Sequence, residues 1–476
     1  MGVIQVFLCR EQELQVLNRR YQSDACECVV IYGRRRVGKT ALITEFVKDK
    51  KAILFPALRA NAMDNLEALS KSIHLYRNPD ATSAPVFQSF DDAFSEITRI
   101  AERERVVFVI DELPYLCDSD SSIASRLQHL LDHDWARTKL FLILCGSSMS
   151  FMEKEVLGEK SPLFGRRTAQ LKVLPLSYRD TARFHPELSP EDNAVMYGIT
   201  GGIPHYINLL NVRGSVRDAL IENLFSRSAY LFEEPDNLLR QELREPAVYN
   251  SIITAIADGS SKLSEIASKV RLESSACSKY LEVLIELEII QRVEPVMNDS
   301  KKKVIYRITD PFFRFWFRYV PANMMAITAG RMDRVYEISV GGDISNYMGQ
   351  IYESMCQSWL IDHMDRVPFQ IGVIGEWWGN HSDKKKEIQI DIVGVEAKAY
   401  NRSGGRRFLI GSCKYRNELI GVDELALLED YASVITTPQD QCFYYIFSKK
   451  GFTDALKKRA EEGAVTLLTL EDMYRD

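Results

Sequence analysis

Gly33-Arg34-Arg35-Arg36-Val37-Gly38-Lys39-Thr40 fits the pattern G-x-x-x-x-G-K-[ST], and the chemistry that pattern serves is capture of phosphate groups. The glycines allow a tight turn whose backbone N–H groups converge, and a helix starting at its end adds a favourable dipole. Gly33, Arg34, Arg35, Arg36, Val37, Gly38, Lys39, Thr40 and Ala41 are expected to form the phosphate cradle. Lys39 reaches the β/γ-phosphates, and the Thr40 hydroxyl ligates Mg²⁺. About seventy residues later stand two carboxylates, Asp111 and Glu112. Asp111 is expected to hold the Mg²⁺ through water, and Glu112 to polarise the attacking water as general base.

These groups meet only if particular elements carry them. Cys28-Val29-Val30-Ile31-Tyr32 reads as a buried strand before the loop, and Ala41 to Lys48 as a helix after it. Val106 to Ile110 is an apolar strand that delivers the two acids at its C-terminal edge, where open α/β sheets bind ligands. Lys139 to Gly146 is a third strand, ending in Ser147 and Ser148. In nucleoside triphosphatases of this general type, the strand beside the Asp-Glu strand presents a polar side chain to the γ-phosphate. Ser147 is the candidate here, and Ser147 or Ser148 also suits the N-cap of a following helix. Gly165-Arg166-Arg167 precedes a strand, Ala169 to Leu174. Arg166 or Arg167 there is either a charge-stabilising arginine, in cis or from a neighbouring subunit, or part of an exposed turn. Gly201-Gly202-Ile203-Pro204-His205-Tyr206 reads as a turn into a helix, with Pro204 near its first position. Strands alternating with helices from Ile53 to Leu174 predict a doubly wound α/β domain with a parallel sheet.

The order of Gly33–Thr40, Ile110-Asp111-Glu112, Gly146-Ser147-Ser148, Pro162-Leu163-Phe164-Gly165-Arg166, Leu174-Pro175-Leu176 and Gly201-Gly202-Ile203-Pro204 resembles the archaeal-type ATPases. These are AAA-like P-loop NTPases related to the signal-transduction class, and the likeness covers roughly the first 240 residues. It implies ATP as the nucleotide, a helical lid carrying the Gly-Gly-x-Pro segment, and a conformational switch driven by turnover.

Beyond the lid, Val248 to Ala257, Leu263 to Val270 and Ser274 to Leu287 read as three helices. Ile289 to Met297 and Lys303 to Ile308 flank a polar turn, completing the outline of a winged helix-turn-helix. Its DNA-facing candidates are Ser274, Ser275, Ser278 and Lys279 on the third helix and Lys301 to Lys303 on the wing. Charge argues the other way. Residues 246–310 hold nine Lys and Arg against nine Asp and Glu, so few phosphate contacts are on offer. Asp310-Pro311-Phe312-Phe313-Arg314-Phe315-Trp316-Phe317-Arg318-Tyr319 follows. Such a run either stacks bases or forms a core helix, and packing is the reading preferred.

From about Asp343 the pattern becomes a helix, then strands, then α/β alternation. Asp391 on one strand and Lys414 on the next fall in the PD-(D/E)xK nuclease arrangement, in which acids hold Mg²⁺ and the lysine orients water. Tyr352-Glu353, Trp377-Trp378-Gly379, Ile390-Asp391-Ile392, Cys413-Lys414 and Ser448-Lys449-Lys450-Gly451-Phe452-Thr453 resemble the nuclease-like C-terminal domain appended to archaeal-type ATPases. The likeness gives Glu353 an accessory role. Two residues before Lys414, however, Ser412 replaces the expected acid. A neutral hydroxyl is a poor substitute where a hard cation wants carboxylate. The site reads as vestigial, with Glu387 or Glu353 as the acids able to compensate.

The chain thus divides into a P-loop ATPase core (1–180), a helical lid (181–240), a winged helix (241–310), an aromatic helical linker (311–342) and a restriction-endonuclease-like α/β domain (343–476). Its 476 residues exceed one ordinary core. A net charge of −6 offers no global attraction to nucleic acid or acidic membrane, so any DNA contact must come from the winged helix or C-terminal domain. No apolar run approaches the roughly 20 residues of a membrane span, and no secretory signal is evident. Nine scattered cysteines lack zinc-site spacing and read as reduced thiols of a cytoplasmic protein. His129 and His133 are four apart on a helix, beside Asp132 and Asp134, and read as a solvated face rather than metal ligands.

Overall fold

The computed structural model describes residues 7–297, 303–381, 384–397 and 405–475. The chain forms two compact units. One runs to Leu176 and takes in Ile203–Asn208; the other comprises Ser177–Gly202 and the chain from Leu209 onward. The lid splits between the units, and the divisions expected at 310 and 342 fall inside the second.

The first unit contains α1 (Glu11–Tyr21), β1 (Glu27–Tyr32), α2 (Lys39–Val47), β2 (Ala52–Pro56), α3 (Ala62–Arg77), α4 (Phe90–Arg103), β3 (Val106–Asp111), α5 (Leu113–Ser119), α6 (Ile123–Asp132), β4 (Leu140–Gly146), the single turn α7 (Met149–Phe151) and β5 (Ala169–Lys172). Its five strands are parallel in the order β2-β3-β4-β1-β5. β1 and β4 are buried along their whole length, which explains the apolar runs Cys28–Tyr32 and Leu140–Cys145. On one face Val30, Phe108, Ile110 and Leu142 pack with Leu66, Leu69, Phe94 and Ile97. On the other, Phe141 meets Phe46 of α2 and Tyr21 of α1, with ring centroids 5.3 and 5.8 Å away. Each large apolar side chain so enclosed contributes roughly 1.5–3 kcal/mol. The expected doubly wound parallel sheet is present.

In the second unit come α8 (Tyr178–Ala182) and α9 (Pro190–Thr200); α10 (Pro204–Leu210) crosses back from the first unit. Then follow α11 (Val216–Asn223), α12 (Tyr230–Glu242), α13 (Pro246–Ala257), α14 (Leu263–Val270), α15 (Ser274–Glu286), β6 (Ile290–Val293), β7 (Ile305–Ile308), α16 (Pro311–Tyr319), α17 (Met324–Thr328), α18 (Met332–Val335) and α19 (Ile344–Asp362). β8 (Ile371–His381), β9 (Lys386–Glu396), β10 (Arg407–Lys414), α20 (Val422–Ala432), β11 (Gln441–Ser448), α21 (Asp454–Glu461), β12 (Thr466–Thr469) and α22 (Leu470–Arg475) complete it. β6 and β7 pair antiparallel, so α13 to β7 supplies the three helices and hairpin the sequence predicts. The wing residues Lys301 and Lys302 lie outside the described residues.

α16 settles the aromatic run. Asp310 caps it by accepting from Phe313 N at 2.9 Å, and Phe312, Phe313, Phe315, Trp316, Phe317 and Tyr319 are all buried. Trp316 Nε1 donates to the Phe232 carbonyl at 2.8 Å. This is a core helix, and no aromatic face is left for bases. The second sheet has the order β12-β11-β10-β9-β8, antiparallel from β8 to β10 and parallel from β10 to β12.

Candidate functional sites

In the first unit, the order of strands does the assembling. β4 lies between β1 and β3, so the loop after β1, the acids after β3 and Ser147 after β4 share one edge of the sheet. Gly33 has φ +154°, and a Cβ there would overlap the Val173 carbonyl oxygen; Gly38 has φ +96°. Both positions demand glycine. Lys39 is only 6% exposed, and its Nζ donates to the carbonyls of Gly33 at 2.9 Å and Arg34 at 3.0 Å. Burial pulls its pKa down, while Cys145, Glu112 and Asp111 hold it up.

Thr40 Oγ1 donates to Asp111 Oδ2 at 3.1 Å. A hydroxyl and a carboxylate side by side at the loop are hard-oxygen donors of the kind Mg²⁺ takes from protein when substrate phosphates complete its shell. Glu112 holds a left-handed backbone, φ 55°, at the start of α5. Its Oε2 accepts from both the N–H of Ser147 at 3.1 Å and its hydroxyl at 2.9 Å. The Ser147 hydroxyl is therefore tied to Glu112, and Ser148, at the N-cap of α7, makes no side-chain capping bond.

Pro204 comes to this site: its ring lies within van der Waals reach of Gly38, at 3.9 Å from a Cβ placed there. The turn into α10 uses Gly201 and Gly202 at φ 61° and 68°. Arg36 stands over the Tyr206 ring at 6.0 Å, and burial, with Arg36 beside it, lowers the His205 pKa. Arg166, read either as a phosphate-stabilising arginine or as part of a turn, is engaged within its own turn and with α6. Its guanidinium forms a two-pronged bond to Asp132, both contacts 2.7 Å, and also donates to the carbonyls of Pro162 and Phe164. No described hydrogen bond or ion pair takes it to the loop. A carboxylate with matching fork geometry has captured it. Arg167 lies against the Phe164 ring, 5.8 Å away. Asp132, His129 and His133 are exposed, as the solvated-face reading expects.

One residue of this site had no motif to announce it. Arg10, buried just before α1, donates through Nη2 to the carbonyls of Val37 at 2.9 Å and Leu174 at 2.8 Å. It clamps the loop to the chain leaving β5.

The second unit gathers the nuclease-like residues. Asp391 Oδ2 accepts from Cys413 N at 2.9 Å and lies 3.4 Å from Lys414 Nζ. Ser412, 2% exposed, donates to Glu424 Oε1 at 2.6 Å, and that carboxylate lies 3.3 Å from Lys414 Nζ. So an acid does stand beside Ser412. It comes from α20 rather than from β10, and sequence spacing gave no sign of it. Glu387, the other acid proposed to compensate, lies four residues along β9 from Asp391, about 13 Å away. Burial opposes the Lys414 charge, but Asp391 and Glu424 prevail and raise its pKa. Among the described residues, no group of three or more His, Cys, Asp or Glu is arranged to hold a metal ion. On the hairpin, Lys303 Nζ donates to the Trp378 carbonyl at 3.4 Å, so this lysine contacts β8.

Burial, with Asp391 and Glu376 nearby, pushes the Glu353 carboxyl up to about 8 from 4.5. The folded state then keeps a proton that the unfolded chain releases. The stability carried by this group is complete below pH 4.5 and is lost as pH rises toward 8. Glu353→Gln is expected to remove a decline on the order of 1–3 kcal/mol between pH 5 and 8, read by thermal unfolding across that range.

Loop, acids and sheet order together define a P-loop ATPase fold. Residues 7–210 match a family described as an ATPase domain predominantly from Archaea, and residues 316–425 match one described as archaeal and bacterial proteins of unknown function. An uncharacterized protein of Methanocaldococcus jannaschii is 34% identical over 376 residues, covering 78% of this chain and 82% of that protein. The chain belongs to this archaeal-type ATPase family. A short uncharacterized ATP-binding protein of the same organism is 44% identical over 50 residues, covering 10% of this chain and 83% of that protein. Among solved structures, the Walker-type ATPase of Pyrococcus abyssi shares the fold, with a TM-score of 0.51 and 20% identity, over 66% of this chain and 96% of that one. Among the described residues, no helix is long and apolar enough to cross a membrane.

Proposed function

We propose that the chain is a cytoplasmic, Mg²⁺-dependent ATPase whose nucleotide state drives a conformational switch. The observation that carries this is the junction of Lys39, Thr40, Asp111, Glu112 and Ser147 at one sheet edge. Lys39 turns from the Gly33 and Arg34 carbonyls to the phosphate oxygens, exchanging neutral acceptors for charged ones. Thr40 and Asp111 would hold the ion, which would supply positive charge against that developing on the phosphates. Glu112 takes a proton from water as its oxygen bonds to the γ-phosphorus and the bond to the bridging oxygen breaks, yielding ADP and phosphate. Ser147 holds the Glu112 carboxylate in register and can pass its hydroxyl to a γ-phosphate oxygen. Arg166 can serve a phosphate only by leaving Asp132. Phosphate release from ATP by the purified chain, dependent on Mg²⁺, tests the proposal; no release above a buffer control would end it.

The other end of the chain supports a second reading, as a winged helix and a nuclease-like domain acting on DNA. The observation favouring it is Glu424, which gives Ser412 the carboxylate neighbour that β10 itself lacks. Asp391 and Glu424 would hold a divalent ion, and Lys414 would orient water toward a phosphodiester. Supercoiled plasmid with Mg²⁺ or Mn²⁺ should be nicked by the parent and at least 100-fold more slowly by Asp391→Ala or Glu424→Gln. Nicking that persists in both variants would come from a contaminant.

A further inference from the structure

A cavity of about 220 Å³ in the second unit is lined by three arginines, Arg307, Arg314 and Arg318. The rest of its wall includes Ser260 and Ser261 from the turn between α13 and α14, Tyr306 from β7 and Gln350 from α19. Two of the arginines are anchored by acids. Arg307 pairs with Glu376, and Arg318 Nε donates to Asp343 Oδ2 at 2.6 Å. The Arg314 guanidinium makes no ion pair or hydrogen bond among the described residues and rests over the Tyr347 ring at 5.4 Å. The hydroxyls of Ser260, Ser261 and Tyr306 likewise have no hydrogen-bond partner among the described residues.

Three guanidinium groups around one small space repel one another. Burial lowers the Arg314 pKa, and the like charges of Arg318 and Arg307 add to it, against Tyr347 and Glu353. Glu376 and Asp343 are taken up by Arg307 and Arg318, so an anion entering the cavity gains most at Arg314. Planar N–H forks and hydroxyl donors are the groups that recognise phosphate oxygens. The volume lies below the ~300–1,000 Å³ of a whole-ligand pocket, which suits a single phosphate group.

We propose that this cavity is a phosphate-binding site, with Arg314 as the central donor, seating either one phosphodiester of a nucleic-acid strand or a free phosphate. Either source meets the same groups. The site uses the α13–α14 turn, β7 and α16, and includes none of Ser274, Ser275, Ser278 and Lys279 on the third helix. It bears on the nucleic-acid reading and is independent of ATP turnover.

The test uses the full chain carrying Lys39→Ala, so that the nucleotide loop contributes no phosphate binding of its own. Fluorescence anisotropy follows a labelled 20-nucleotide strand and its duplex across a salt series, and calorimetry follows inorganic phosphate. Arg314→Gln with Arg318→Gln should weaken oligonucleotide binding at least tenfold and flatten the dependence of log K on log salt by about one. The exposed Arg318→Gln alone should weaken it several-fold, and decides the matter should the double variant fail to fold. Lys458→Gln, an exposed charge on α21, should change neither. Phosphate heat abolished by the arginine changes, with no oligonucleotide bound, would assign the site to free phosphate. Unchanged affinities for both probes, or an equal loss in Lys458→Gln, would overturn the proposal.

Discussion

Glu112→Gln is expected to bind ATP within a few-fold of the parent and to hydrolyse it about 10³-fold more slowly. A positioned general base supplies roughly 10²–10⁴ in rate, and three decades correspond to about 4 kcal/mol of barrier. Glutamine keeps the size of the side chain and leaves one carbonyl oxygen. That oxygen can still accept from the Ser147 N–H and hydroxyl, so the local geometry should persist. Only the capacity to take a proton is removed. Binding is read by calorimetry and turnover by phosphate release, on protein with parental circular dichroism. Parental turnover in this variant would strip Glu112 of the role of base, leaving its left-handed backbone and its bonds to Ser147 as a structural feature of the turn into α5.

The phosphate loop was legible because its chemistry is local. The glycines, lysine and threonine are contiguous, and the strand and helix beside them carry their own periodicity. Asp111 and Ser147 could be placed because buried parallel strands announce themselves as apolar runs and deliver their last residues to one edge. What escaped was chemistry supplied from a distance or received by backbone. Arg10 acts on the carbonyls of Val37 and Leu174, and carbonyls leave no trace in side-chain patterns. Glu424 reaches Ser412 from a helix that follows β10, where neither strand alternation nor the acid-x-Lys spacing applies. Arg166 is the case in which the pattern left two readings open. An arginine after a glycine turn looked available for phosphate, but Asp132, thirty-four residues earlier, completes a fork with it. Helix α16 was read correctly because six aromatic side chains in nine residues bury more apolar area than an exposed face could leave in water.

Lys39→Ala is expected to reduce ATP affinity by about two to four decades. In the folded chain this ammonium is nearly enclosed, and its ties are to two loop carbonyls rather than to a carboxylate. It carries a desolvation penalty that only a stronger anionic partner can offset, and triphosphate oxygens are such a partner. Truncation removes that cation and also unties Gly33 and Arg34, so the loop must be ordered by the ligand at an added entropic cost. Breaking a buried charged contact costs about 3–5 kcal/mol, equivalent to between two and four decades in affinity. Lys39→Met separates the two contributions, since it keeps most of the side chain's packing while discarding its charge. If the charge dominates, both variants lose affinity to the same extent in calorimetry with Mg²⁺ and ATP. Parental affinity in both would remove the lysine from phosphate binding, and with it the reading of Gly33–Thr40 as the nucleotide cradle.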